Sequence, residues 1–241
     1  NVAHVVGGGD PYLQSVILGY MNGAKNYVQD TSYGARVYTF EKLTSAGVDL
    51  VNSGLLGNLF TEGLGLITYF GHSSASSMEF NLDNPNVFDN PGKYPLFIAN
   101  GCNAGNFFVN DTLRITNAKR SITENYVLTP NRGSIGFLAS THYGIVNYLN
   151  IYTSSLYQLM SGKDYGSTIG QIQANAIAEM TKQVGLDDFY NLMTAETNLL
   201  NGDPAVYLYP HPQADYAVEE SQIKISPNSL SVTNTNFDLK V

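Results

Sequence analysis

Cysteine is nearly absent from this sequence: Cys102 stands alone in 241 residues. A single thiol excludes an intramolecular disulfide and any cysteine-rich metal site. Charge is scarce too. Charged residues make up 13% of the chain, with 12 Lys and Arg against 20 Asp and Glu and a net charge of −8. With no basic cluster to neutralise phosphates, nucleic acid is excluded as a general partner. Tryptophan is missing altogether. No run of about 18 apolar residues exists, so the sequence contains no candidate membrane span. A signal peptide is missing as well: the chain opens directly into Val2-Ala3-His4-Val5-Val6, which reads as a strand and as the start of an excised domain.

What is present suits a folded globular chain. Hydrophobic residues make up 43% and aromatic residues 12%, which is enough for one large α/β domain with a substantial core. Asn, Ser, Thr, Gly and 17 Tyr take the place of charge, giving an uncharged polar surface common in secreted bacterial proteins.

Apolar strands alternate with amphipathic helices along residues 1–210. Strands are predicted at 2–6, 35–40, 64–70, 95–100, 133–140 and 205–209. Helices are predicted over about 11–29, 48–61, 120–127, 147–161, 166–184 and 187–199. This alternation predicts a mostly parallel sheet covered on both faces. After Tyr209 the pattern breaks at Pro210-His211-Pro212-Gln213. The tail then alternates through 222–226, 229–233 and 237–241, as the first strands of a β-sandwich would. The expected division is therefore 1–210 for the main domain and 211–241 for a linker and the start of a second.

In such sheets functional groups gather at the carboxyl ends of the strands. His72 lies just past one predicted strand, in Gly71-His72-Ser73-Ser74, and Cys102 just past the next, in Gly101-Cys102-Asn103-Ala104-Gly105. Neighbouring strands lie about 5 Å apart, which brings both side chains to one edge. A thiol becomes a strong nucleophile once an imidazole takes its proton, and backbone N–H groups can then hold an oxyanion. The N–H groups of Cys102 and Ser73 are the candidates. A lone cysteine is otherwise a small buried hydrophobe. His142, past the following strand, is a competing base. His4 inside a strand and His211 between prolines read as structural. Asp10 either orients His72, binds calcium, or caps the helix starting at Pro11. Glu79, Asp83 and Asp89 read first as a solvated acidic loop, with a pocket for a basic side chain or a calcium site as alternatives. The Gly7-Gly8-Gly9 run lacks the partners of a phosphate-binding loop.

Tyr69-Phe70-Gly71-His72-Ser73 and Ala99-Asn100-Gly101-Cys102-Asn103-Ala104-Gly105-Asn106-Phe107 resemble the paired motifs of gingipain-type cysteine peptidases, 30 residues apart from His72 to Cys102. Leu199-Leu200-Asn201-Gly202-Asp203-Pro204-Ala205 is similar to that family's closing motif. The resemblance implies a caspase-like three-layer α/β sandwich with a mainly parallel sheet of about six strands and helices on both faces. It also implies an acyl-transfer endopeptidase with Cys102 as nucleophile and His72 as base, acting on protein or peptide substrates. His142, Tyr143 and Asn147, in the 139–147 loop, would form a wall of the specificity pocket. No cofactor is required, and calcium is a candidate structural ion. A secreted or cell-surface bacterial location is expected, with an adjoining C-terminal β-sandwich. Two departures stand out. Ser73 occupies a position usually held by glycine, where a positive φ would strain it. Asp10 alone remains of the acidic residues that the family places after the first strand. The alternatives are a transpeptidase resembling the type IX secretion sortase, and an inactive surface binding or adhesion module.

Overall fold

A strand buried on both faces needs apolar residues at consecutive positions, and most of the strands here meet that demand. The computed structural model describes residues 1–29, 33–42, 50–108, 120–208, 223–226 and 238–240. Its main sheet has six strands: β1 (Val2–Val6), β2 (Val37–Glu41), β3 (Leu66–Phe70), β4 (Leu96–Asn100), β5 (Gly136–Ser140) and β6 (Asn198–Gly202). Their order is β2-β1-β3-β4-β5-β6. The first five run parallel, and β6 closes one edge antiparallel to β5. Every residue of β1, β3, β4 and β5 is buried, whereas β2, the opposite edge strand, is largely half-exposed.

Alternate residues face opposite layers. Ala3, Val5, Ile67, Tyr69, Phe97, Ala99, Phe137 and Ala139 share one core with Leu56 and Phe60 of α2 (Leu50–Glu62) and Ile122 and Tyr126 of α3 (Ile122–Leu128). On the other face, Val2, Leu66, Leu96, Ile98 and Leu138 pack with α1 (Pro11–Gln29), α4 (Val146–Ser161) and α5 (Ile169–Val184). A further helix, α6 (Phe189–Thr197), runs directly into β6. The sheet with helices on both faces is the α/β architecture the sequence predicts. Helix starts obey local rules. Asp10 Oδ1 accepts from the Leu13 N–H (2.9 Å) ahead of α1, and Ser121 with Glu124 forms a reciprocal capping box on α3.

One strand is misplaced by sequence reasoning. The predicted 205–209 strand is absent from the sheet among the described residues; 205–208 makes turns and a single bridge, Thr168 with Tyr207. The sixth strand is instead Asn198–Gly202, which the helical pattern of 187–199 partly absorbs. An antiparallel edge strand needs little continuous apolar sequence, so Leu199-Leu200 is a weak signal. The 204–206 segment serves α5: the Pro204 and Val206 carbonyls accept from Gly170 (3.0 Å) and Ile169 (2.8 Å), pairing N–H groups that a helix start leaves open.

The chain divides into two compact units, 1–208 and 209–241. In the second, β7 (Lys224–Ser226) pairs antiparallel with β8 (Asp238–Lys240). The predicted strand at 229–233, the linker that includes His211, Tyr209, and the start of the predicted 48–61 helix lie outside the described residues.

Candidate active site

Register places the site. Val6 pairs with Phe70 and Phe70 with Asn100, so the three strands end level and the next residue on each is glycine: Gly7, Gly71 and Gly101. The Gly7 N–H donates to Phe70 O (2.8 Å) and the Gly71 N–H to Asn100 O (3.0 Å), carrying the parallel ladder one step past the strands. Side chains would not fit here. A Cβ on Gly71 would stand 2.9 Å from the Gly7 Cα, and one on Gly101 would stand 2.7 Å from Gly71 O.

Beyond this glycine row lie the two predicted catalytic residues. His72 is exposed, with the Nε2 edge of its ring against Gly9; a Cβ on Gly9 would lie 3.0 Å from Nε2. The His72 carbonyl accepts from the Tyr69 hydroxyl. Cys102 is half-buried, and its Sγ accepts from the Gly144 N–H at 3.4 Å. The two turns are joined directly: Ser73 Oγ donates to the Cys102 carbonyl at 2.9 Å. Ser73 is not among the non-glycine residues with positive φ, so its replacement of glycine carries no backbone strain.

The 139–147 loop is stitched to the Cys102 turn. Asn103, at φ 57, donates its N–H to His142 O (2.8 Å), and the Gly105 N–H donates to Ser140 O (2.9 Å). His142 therefore meets the Cys102 turn through its backbone carbonyl, while its imidazole lies edge-on to Tyr143 at 5.0 Å. Tyr143 is 63% exposed, and Asn147 is exposed on the first turn of α4. Of the three residues predicted as a pocket wall, His142 and Tyr143 thus lie in the loop bonded to the Cys102 turn, and Asn147 on the helix that follows it.

Glu79 departs from its expected solvated setting. It is buried, its Oε1 accepts from Lys42 Nζ at 2.7 Å, and its Oε2 accepts from the Tyr69 hydroxyl at 3.0 Å and the Gly8 N–H at 3.3 Å. An acid that finds a lysine and two further donors can be buried without a solvation penalty it cannot offset. Burial and the neighbouring carboxylate push the Tyr69 hydroxyl well above the usual tyrosine range, so it remains a protonated donor. Asp83 is half-buried, and exposed Asp89 lines an open cavity of about 420 Å³ between α2 and the 79–89 segment. Asp10, beside Gly9, commits one oxygen to capping α1. Among the described residues no group of three or more His, Cys, Asp and Glu is placed to hold a metal ion. Sequence reasoning missed Lys42, Tyr69 and Gly144. Their only sequence signals are position: Lys42 and Gly144 follow strand ends, and Tyr69 puts a hydroxyl into an apolar run.

A thiol and an imidazole on adjoining parallel strand ends, with glycine turns leaving backbone open around them, define the cysteine-peptidase class. The chain spans about half the length of the solved structures it matches in fold. It belongs to peptidase family C25, the gingipain family, whose family model matches residues 1–209. Two of those structures are of Porphyromonas gingivalis RgpB in complex between its pro- and mature domains, at 17% identity and TM-score 0.66, and of the Arg-specific cysteine proteinase gingipain R, at 15% identity and TM-score 0.63. The match covers 85% of this chain and 47% of the first, and 86% of this chain and 47% of the second. A third, described only as a protease, shares 14% identity over 92% of this chain and 53% of its own, with TM-score 0.64. At these identities the likeness is one of fold. No curated protein sequence matches the chain.

Proposed function

We propose that this domain hydrolyses peptide bonds through Cys102 and His72. The observation that carries the reading is the junction of the two strand ends, where Ser73 Oγ meets the Cys102 carbonyl at 2.9 Å over a row of glycines. His72 accepts the thiol proton, and the thiolate attacks the substrate carbonyl carbon. A C–S bond forms, and the carbonyl electron pair moves to oxygen, which the N–H groups of Cys102 and Ser73 hold. Collapse breaks the C–N bond while the imidazolium gives its proton to the leaving amine. Water, losing a proton to His72, then attacks the thioester, releasing the acid and restoring the thiol.

In this reading Tyr143 and Asn147, with His142, wall the pocket for the residue before the scissile bond. Their support is the pair of backbone bonds joining that loop to the Cys102 turn. Asp10 stands next to the glycine at the imidazole edge and is retained as a candidate orienting acid. The chemistry asks for no cofactor, and calcium enters as a structural ion only. The same proposal takes the protein as secreted or displayed at a bacterial cell surface. No described helix is long and apolar enough to cross a membrane. The antiparallel pair β7–β8 supports a β-sandwich that follows the peptidase domain in sequence.

A fluorogenic peptide library, run with and without a chelator and with an added amine, tests the reading. Cleavage that Cys102→Ala abolishes and a chelator spares is expected. Amine-ligated products in place of hydrolysis would reassign the domain to transpeptidation. Absence of any turnover would leave the fold as a binding module.

A further inference from the structure

Glu79 sits where nothing in its local sequence would send it. Both carboxylate oxygens are used, and the donors come from three different strands or their ends: Lys42 after β2, Gly8 after β1 and Tyr69 within β3. The side chains of Glu79 and Lys42 are only 9% and 10% exposed. The room for this carboxylate is made by glycines. A Cβ on Gly7 would fall 1.8 Å from Oε2, and one on Gly71, the residue before His72, would fall 2.6 Å from both Oε2 and the Tyr69 hydroxyl. Glu79 is also held in place at a backbone cost. Phe80 follows it at φ 63 and Asn81 at φ 56, left-handed conformations that a buried phenylalanine rarely adopts.

A buried ion pair alone is weak evidence for stability, since apolar residues fill such space at less cost. The pair here has a specific reach instead. The one Tyr69 hydroxyl proton is shared between Glu79 Oε2 and the His72 carbonyl, and the Nε2 edge of the imidazole lies against Gly9, one residue beyond the Gly8 N–H that Glu79 accepts. The carboxylate therefore ties together the backbone that carries His72 and the backbone that meets its ring edge.

We propose that Glu79, anchored by Lys42 and acting through Tyr69, is the positioning residue that fixes the His72 turn for proton transfer with Cys102. This rests on His72 being the base. Glu79 is buried and spends both oxygens on Lys42, Tyr69 and Gly8, so its loss should act on turnover and leave substrate affinity alone.

The test measures kcat and KM for peptide cleavage and the rate of Cys102 alkylation by iodoacetamide, in Tyr69→Phe, in the paired Lys42→Met with Glu79→Gln, and in His72→Ala. Tyr69→Phe removes only the linking hydroxyl. The paired variant leaves no unpaired buried charge, so one of the two remains informative should the other fold poorly. The expected result is a kcat lower by roughly 10- to 100-fold with KM within about twofold, and alkylation slowed in parallel. Folded Tyr69→Phe and paired variants with unchanged kcat and alkylation, beside an inactive His72→Ala, would overturn the positioning role and leave the dyad. An active His72→Ala would overturn both.

Discussion

Two of the four histidines belong to neighbouring strands, His4 within β1 and His72 just past β3, and they are treated in opposite ways. His4 pairs in register with Thr68 in the middle of the sheet, is fully buried, and is held by Tyr157 (2.8 Å), which also bonds Thr68 (2.7 Å). His72, four residues after Thr68, has left the sheet and lies exposed with its ring edge against a glycine. Burial drives the His4 imidazole down from 6.5 to about 3, with the nearby Lys25 adding to the effect, so it stays neutral and structural. The sheet interior holds one imidazole neutral, and the carboxyl edge leaves the other in solvent. Place along the strand, more than residue type, decides which imidazole is free to meet a substrate.

The contrast can first be broken at His4. Between pH 6.5 and about 3 the unfolded chain binds a proton there that the folded chain does not, so stability rises with pH through that window and is lost as pH falls. The full span amounts to about 5 kcal/mol at most. Denaturant unfolding at several pH values should show this slope in the native protein and a much flatter one in His4→Leu. Identical slopes would place the acid sensitivity elsewhere.

At the carboxyl edge the sensitive element is the glycine row. Gly7→Ala puts a methyl into the Glu79 carboxylate and should destabilise by about 2–3 kcal/mol, the usual cost of overpacking. Gly19→Ala, in α1 where an added Cβ meets nothing within 4 Å, should instead stabilise by about 0.5–1 kcal/mol. Thermal melts of the two variants distinguish a glycine kept for close approach from one kept for nothing structural. A smaller effect is expected at the helix start. Asp10→Ala removes the α1 cap and should cost about 1 kcal/mol, read in the same melts.

Much of this is legible in the sequence because it depends on short-range pattern. Val2–Val6, Leu66–Phe70 and Leu96–Asn100 announce parallel strands by being apolar almost throughout, and that pattern alone puts His72 and Cys102 just past strand ends. The role of Glu79 is not legible. Its partners Lys42 and Gly8 lie 37 and 71 residues away, and only the assembled sheet brings them together. Its neighbours Asn81, Asp83 and Asn84 suggest a solvated loop, and the glycines that admit the carboxylate read as an ordinary turn. Strand β6 escapes notice for a related reason, since edge pairing to β5 supplies what its own residues do not signal.

We read the ends of β3 and β4 as one catalytic unit. This reading is tested most directly by labelling the folded protein with an active-site-directed thiol probe and comparing His72→Ala. Rapid labelling of Cys102 is expected, slowed by roughly 100-fold or more when the imidazole is removed. A Cys102 that does not label while the chain is folded, or that labels equally fast without His72, would contradict it.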